Sequence, residues 1–388
     1  MGREDLGRTL YKIGVYSPRW YTSGGMRVVQ AMKARVGAVL PLSGPLARIG
    51  EQARMGLDLA ATEINAAGGI LGTPIEVGYR DSQTDPATAE SQARALIEQQ
   101  VLAIVGPVSS AARDAMAATM AQNKTPLLYA TDYEGGHDAR YLFFFNTVPS
   151  QSALPLLRYM HGRLGTTYAL LGADYVWPRA TFAVARAEIE ALGGRVTSEQ
   201  FVPLAAGQDY GAVIERVAAS GAEILLLALD DPAFVSQAEQ ACLLRRLTIG
   251  FLADPAPCVA ALRSGEGEGM YACVPFVASD SSSGVRTFVD RVCRLRGGDA
   301  PVSAYVMTHY NALMALKAGL ERSGEIGREA AVEGMTGLTF QTPTGRSWIT
   351  SDHHTALNMY IARTGRGSVH VVEALGAIEA SSKRRENR

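Results

Sequence analysis

Val36-Gly-Ala-Val-Leu-Pro-Leu42, followed by apolar residues at helical spacing over 47–67, decides the fold. A short apolar run without alternation is the mark of a strand buried on both faces, as in a parallel sheet. Gly68-Gly69 supplies a C-terminal stop for the helix that follows. The same unit then repeats. Ile75–Tyr79 reads as a strand, and Pro86–Gln99 as a helix opened by Asp85-Pro86, a cap followed by proline at the first helical position. Val101–Val105 is a third strand, Ser109–Gln122 a helix and Pro126–Tyr129 a fourth strand. This βαβα succession predicts a parallel sheet with helices on both faces.

The pattern restarts further on. Helices are expected over 150–164, 178–192, 209–220 and 232–244, with strands over 168–171, 194–203, 223–229 and 247–252. Two long helices follow, over 284–296 and 303–323. Strands over 345–349, 355–363 and 369–374 close the chain, with Gly365-Arg366-Gly367 fitting a hairpin turn. The expected fold class is α/β, with two Rossmann-like lobes, parallel-rich sheets and a three-segment hinge. Turn-rich segments near 146–149, 275–279 and 341–345 mark the crossings. The domains expected are an N-terminal arm over 1–33, one lobe from 34–147 plus 278–342, a second from 148–277 plus 343–376, and a disordered tail over 377–388.

Bulk composition narrows the function classes. The chain has 388 residues, enough for two or three domains, with 47% apolar and 19% charged side chains. A formal net charge of -1 and the lack of a basic stripe argue against nucleic acid as a direct partner. No run of about 18 apolar residues suggests a membrane span. Residues 1–31 scatter Arg3, Glu4, Asp5, Arg8, Lys12, Arg19 and Arg27 and never collect an apolar export core. They read as an arm, or as residues upstream of a start at Met26 or Met32. The location expected from them is cytoplasmic, with the periplasm as the alternative if the start lies elsewhere.

Enzyme motifs are absent from the sequence. There is no GxGxxG after a strand, no GxxxxGK[ST] and no GxSxG elbow. No cofactor is implied. Cys242, Cys258, Cys273 and Cys293 form no CxxC pair and read as small buried apolar groups. His353-His354 is the one histidine cluster, and adjacent strand residues point to opposite faces, which disfavours a shared metal. No catalytic or metal site is therefore expected.

Strand ends carry the chemistry. In open α/β sheets ligands bind beyond the carboxyl ends of strands. After the third strand, Ser109 or Ser110 would cap a helix and leave N–H groups free at its positive end, ready for a carbonyl or carboxylate oxygen. The fourth strand ends in Tyr129-Ala-Thr131-Asp132-Tyr133-Glu134, a cluster of hydroxyls and carboxylates. In the second unit, Tyr175 and Trp177 fall just before a helix opened by Pro178, where aromatic rings can stack on a planar ligand. Asp230 or Asp231, at another strand end, offers an acceptor.

Several segments resemble a known family. Val39-Leu-Pro-Leu-Ser-Gly44, Glu63-Ile-Asn-Ala-Ala-Gly-Gly69 and Leu71-Gly-Thr-Pro-Ile75 resemble branched-chain amino-acid binding proteins of the periplasmic-binding-protein type I fold. Tyr133-Glu-Gly135 and Asp174-Tyr-Val-Trp-Pro-Arg179 resemble the amide-sensing negative regulator of aliphatic amidase operons and urea-binding proteins of ABC transporters. The resemblance covers Arg35 to Ala374. It implies ligand contacts at Ser110, Tyr129, Thr131, Tyr175 and Trp177. Three positions depart from it: Trp177 stands where tyrosine is usual, Asp132 where proline or glutamine is, and Val108 where the amide sensors have an aromatic. Asp132 adds an acceptor for an amide or ammonium nitrogen.

The function expected from these residues is a non-enzymatic, two-lobed sensor that closes on a short amide, urea or amino acid. The resemblance implies a protein partner, either an RNA-binding antitermination regulator or, in the alternative reading, the permease of an ABC importer for urea, short amides or branched-chain amino acids. A homo-oligomer is compatible with either.

Overall fold

The computed structural model describes residues 33–205, 207–298 and 300–381. The N-terminal arm up to residue 32 and the tail from 382 lie outside the described residues.

The first sheet holds β1 (Ala34–Leu40), β2 (Ile75–Asp81), β3 (Ile104–Val105), β4 (Leu127–Tyr129) and β5 (Leu142–Phe144). Their order is β2-β1-β3-β4-β5, and all four pairings are parallel. The crossover helices are α1 (Ala47–Ala66), α2 (Pro86–Glu98) and α3 (Ser110–Gln122). Both faces of the sheet are covered. Val36, Ala38 and Leu40 of β1 enter one apolar cluster while Val39 enters the one on the opposite face. That two-sided burial is why the strand reads as an unbroken apolar run.

The second lobe runs through α4 (Ala153–Met160), β6 (Thr167–Ala173), α5 (Val176–Ala191), β7 (Arg195–Val202), α6 (Gly211–Ala219), β8 (Ile224–Ala228), α7 (Pro232–Gln240), β9 (Thr248–Phe251), α8 (Ala256–Val259) and β10 (Tyr271–Val274). Strand β8 repeats the logic of β1: Leu225 and Leu227 face one core, Ile224 and Leu226 the other. The chain then builds α9 (Ser283–Arg296), α10 (Ala304–Ser323) and α11 (Arg328–Met335), which pack against the first sheet's core. It ends in β11 (Thr339–Thr342), β12 (Gly345–Ile349), β13 (Thr355–Gly365) and β14 (Ser368–Ile378).

The second sheet has the order β11-β12-β13-β10-β9-β8-β6-β7, with β14 paired to β13. Its centre is parallel, and β13 joins β10 antiparallel. The β13–β14 turn places Arg366 at φ 52° and Gly367 at φ 70°, between the paired Gly365 and Ser368. Two positive φ values in a two-residue loop match the twist of a hairpin. Strand β14 continues to Ile378, past the boundary at 376 expected from sequence. The β11–β12 hairpin is bonded to the second sheet, yet Phe340 and Ile349 point into the first lobe's core. It bridges the lobes and belongs wholly to neither.

Five elements escaped the sequence reading: β5, α8, β10, α11 and β11. The strands among them have only three or four residues, too short for a periodic signal. Cys242 is exposed at φ 56°, so it is not the buried apolar group expected; Cys258 and Cys273 are buried. Among the described residues no helix is long and apolar enough to cross a membrane.

Candidate binding site between the lobes

Helix α1 positions one wall. Gly56 lets it lie directly on α10, because a Cβ there would sit 2.1 Å from the Val306 carbonyl oxygen. This close approach puts the first turn of α1, with Arg48 and Ile49, beside the first turn of α10, with Tyr305. Leu46, Ile49, Val108 and Tyr305 form an apolar cluster, and Leu204 of the second lobe packs against it.

The lobes meet around a cavity of about 50 Å³, enough for a handful of water-sized groups. Ser110, Thr131 and Asp132 line it from the first lobe, and Tyr175, Trp177 and Asp230 from the second. All six stand among the residues expected from sequence. Tyr129 does not line it. Its ring packs on the α2–α3 face of the sheet with Leu127 and Met116, where it is fully buried and its hydroxyl donates to the Val108 carbonyl at 2.5 Å; Thr131 and Asp132 reach the cavity because they lie past the end of β4.

Local geometry corrects three further details. Ser109 caps α3 by accepting from the Ala112 N–H at 3.3 Å, while Ser110 is the first helical residue and faces the cavity. Helix α5 begins at Val176, not Pro178, so Trp177 lies in its first turn; its indole is largely buried in the second core. Asp231 caps α7 and also accepts from the Tyr210 hydroxyl and the Gly207 N–H, which occupies its carboxylate. Both aspartates line the cavity, and Asp230 is the one whose carboxylate keeps an oxygen without a hydrogen bond. The two histidines stack separately, His353 on Phe143 and His354 on Phe144.

Three polar atoms at this cavity have no hydrogen-bond partner despite being shut off from bulk water: Arg48 Nη1, Thr131 Oγ1 and Asp230 Oδ1. Arg48 and Asp230 face each other across the cleft at 3.7 Å, beyond hydrogen-bonding distance. Leaving such a group unpaired costs about 1–3 kcal/mol each. A ligand offering an acceptor to Arg48 and a donor to Asp230 removes that cost.

The cavity is also acidic. Burial pushes the Asp132 carboxyl up to about 6, against a hydrogen bond from Tyr305. Burial does the same to Asp230, up to about 6, against the pull of Arg48. Asp254, behind the cavity, is raised to about 7 by burial although the Ala256 and Ala304 N–H groups oppose the rise. Tyr175 and Tyr305 are held protonated by burial and by these carboxylates.

Arg48 and Tyr305 were missed by the sequence reading. Arg48 left a signal: a cation in the first turn of a helix opposes the helix dipole, so its position needs another reason. Tyr305 left none, since an aromatic in the first turn of an apolar helix reads as core.

The family described as "Periplasmic binding protein" matches residues 33–368. The chain belongs to that family. This periplasmic binding protein is 26% identical over 319 residues to a leucine-, isoleucine-, valine-, threonine- and alanine-binding protein of Pseudomonas aeruginosa, a match covering 79% of this chain and 82% of the relative. Among solved structures it resembles a branched-chain amino acid transporter substrate binding protein from Streptococcus pneumoniae in complex with isoleucine. The TM-score is 0.78 and the identity 21%, with 90% of this chain and all (100%) of the other covered. A solute binding protein of an ABC transporter from Rhodopseudomonas palustris, in complex with 3,4-dihydroxybenzoic acid, gives a TM-score of 0.80 at 19% identity, covering 90% and 98%.

The relatives are solute-binding proteins and not enzymes. Family membership also corrects the expected location: it points to the periplasm rather than the cytoplasm. The cytoplasmic expectation rested on residues 1–31, which lie outside both the described fold and the family match.

Proposed function

We propose that this chain is the solute-binding component of an ABC-type importer and that it closes on a small amino-acid-like solute bearing an ammonium group. The observation that carries the reading is the set of buried atoms at the inter-lobe cavity that form no hydrogen bond, Arg48 Nη1 on one lobe and Asp230 Oδ1 on the other, with Thr131 Oγ1 beside them. Donor and acceptor on opposing lobes suit a solute that itself carries both, and such a solute stabilises the closed state by bridging them. The named ligands of the Pseudomonas and Streptococcus relatives are of this kind. Simple aromatic acids suit the cavity less well, because Asp132 and Asp230 oppose a net anion. No feature of the site favours the amide sensor over the importer component.

Six lining positions serve this proposal as ligand contacts: Ser110, Thr131, Asp132, Tyr175, Trp177 and Asp230. Calorimetry with aliphatic amino acids, short amides, urea and hydroxybenzoates tests it. Heat from an amino acid, with a more compact particle in small-angle scattering, is the expected result. Binding of benzoates alone would overturn the ligand class.

A further inference from the structure

Charge around the cavity does not balance. Among the described residues, the lining holds three aspartates, Asp132, Asp230 and Asp231, and one cation, Arg48. Arg48 faces Asp230 at 3.7 Å. Asp231 is held by the Tyr210 hydroxyl and the Gly207 and Ala233 N–H groups, all neutral donors. Asp132 accepts from the Tyr305 hydroxyl, which is neutral too. Glu134, which accepts from the Ser110 hydroxyl at 2.7 Å, adds nothing to the excess, because fully buried Arg113 pairs with it at 2.6 Å.

A zwitterionic solute leaves the excess as it stands. Its carboxylate finds donors in Arg48 and in the N–H groups of Ser110 and Ala111, which open α3 and have no partner within the helix. Its ammonium group finds Asp230 across the cleft. Two cations, Arg48 and that ammonium, then face the solute carboxylate and three aspartates. The start of α3 contributes about half a positive charge, less than is missing. An ammonium group shared between Asp132 and Asp230 does not alter the sum. Closure excludes water, and a buried carboxylate without a counter-ion is costly. Burial already pushes the Asp132 carboxyl up to about 6. Its chain neighbour Thr131 also lines the cavity, and the Oγ1 of this buried side chain has no hydrogen-bond partner. A hydroxyl has lone pairs to offer an ammonium group. The missing component is a second cation, and a cavity of about 50 Å³ leaves room for only a short side chain to carry it.

We propose that the solute is a short diamino acid, its α-ammonium group paired with Asp230 and its side-chain ammonium group taken by Asp132 and the Thr131 hydroxyl. This inference rests on the solute-binding reading above and narrows its solute class to amino acids of net positive charge. Asp132 is then the residue that sets specificity.

The test uses three amino acids of similar length that differ at the end of the side chain: 2,4-diaminobutyrate, with an ammonium group, norvaline, with a methyl group, and glutamate, with a carboxylate. Calorimetry at neutral pH on the full chain gives a dissociation constant for each. The wild type should bind 2,4-diaminobutyrate about tenfold or more tighter than norvaline, the range of a hydrogen bond to a charged group, and glutamate weakest. Asp132→Asn should lower the ratio of the norvaline to the 2,4-diaminobutyrate constant about tenfold. Asp132→Ser, which keeps an acceptor for Tyr305, gives the same reading if the first variant folds poorly. Asp230→Asn should weaken both solutes and keep their ratio. Norvaline binding as tightly as 2,4-diaminobutyrate to the wild type overturns the proposal alone. So does an unchanged ratio in the Asp132 variants, which would mean that one α-ammonium group serves both carboxylates. Failure of all three amino acids and of leucine to bind the wild type overturns it together with the amino-acid-like reading.

Discussion

Asp254 accepts a hydrogen bond from the Ala304 backbone N–H at 2.5 Å, and the two residues belong to different lobes. Asp254 follows β9 of the second lobe, and Ala304 is the first residue of α10, which packs in the first. The preceding residue, Ser303, stands at the cap position of α10 but gives its hydroxyl to Gln52 instead. The helix is thus capped from across the cleft, by a carboxylate at its positive end. Opening the lobes would separate that pair. Asp254→Ala should therefore favour the open state and weaken solute binding about tenfold, roughly 1.4 kcal/mol. Calorimetry together with scattering of the solute-free protein checks this; equal affinity in the two proteins would show that the contact does not contribute to closure.

Solute binding should weaken as pH falls. Burial sets the Asp132 and Asp230 carboxyls to about 6, and an ammonium group needs them ionised. Arg48 opposes the rise at Asp230, while Asp231 reinforces it. The sign is fixed: below about 6 the carboxyls are neutral and attract no cation. Affinity should drop by roughly tenfold per pH unit below that point for each carboxyl that must ionise. Binding at pH 6 should release protons, visible as a dependence of calorimetric heat on buffer ionisation enthalpy. The same raised values have the opposite effect on the empty protein. The stability they contribute is fully present below the unfolded-state value of about 3.8 and is lost as pH rises through about 6. Asp132→Asn should flatten the affinity profile.

Much of this was legible in advance because the parallel sheets leave a strong signal. Strands such as Val36–Leu40 and Ile224–Ala228 are apolar throughout since both faces are buried, and the helices between them keep helical spacing. The strand-end rule then brought Ser110, Thr131, Asp132, Tyr175, Trp177 and Asp230 to one cavity. It failed at Tyr129, which is still within β4 and packs its ring under α3 with Leu127 and Met116. It was silent on Arg48 and Tyr305, which come from helices meeting by tertiary packing. The direction of the Ser110 proton depends on Glu134, 24 positions away, and no local pattern reveals it.

Arg48 should read the acceptor end of the solute. Its Nη1 is buried without a hydrogen bond and lies 3.7 Å from Asp230. Arg48→Gln shortens the donor and removes the charge. Leucine binding should fall about tenfold or more, the range of a lost hydrogen bond to a charged group, about 1.5–3 kcal/mol. Isoamylamine, with no carboxylate to lose, should bind with little change or more tightly, since Asp230 is then free of its cation. Equal losses for the two probes would show that Arg48 acts on closure and not on the carboxylate.

Packing far from the cavity should control it through helix placement. Gly56 lies where α1 crosses α10, and a Cβ there would be 2.1 Å from the Val306 carbonyl oxygen and 3.0 Å from the Tyr310 nitrogen. Both neighbours are backbone, so no side chain can swing away and the helices must separate. Overpacking of this kind costs about 1–3 kcal/mol, and more when backbone must move. Arg48 and Tyr305 occupy the first turns of these two helices, so separation moves both relative to Asp230 and Asp132. Gly56→Ala should therefore lower the melting temperature by several degrees, at about 2–4 °C per kcal/mol, and weaken leucine binding as well. Gly298→Ala is the control, because nothing lies within 4 Å of a Cβ placed there. It should leave both quantities as they are. Loss of stability in Gly56→Ala with leucine affinity intact would show that the α1–α10 contact supports the lobe without setting the site.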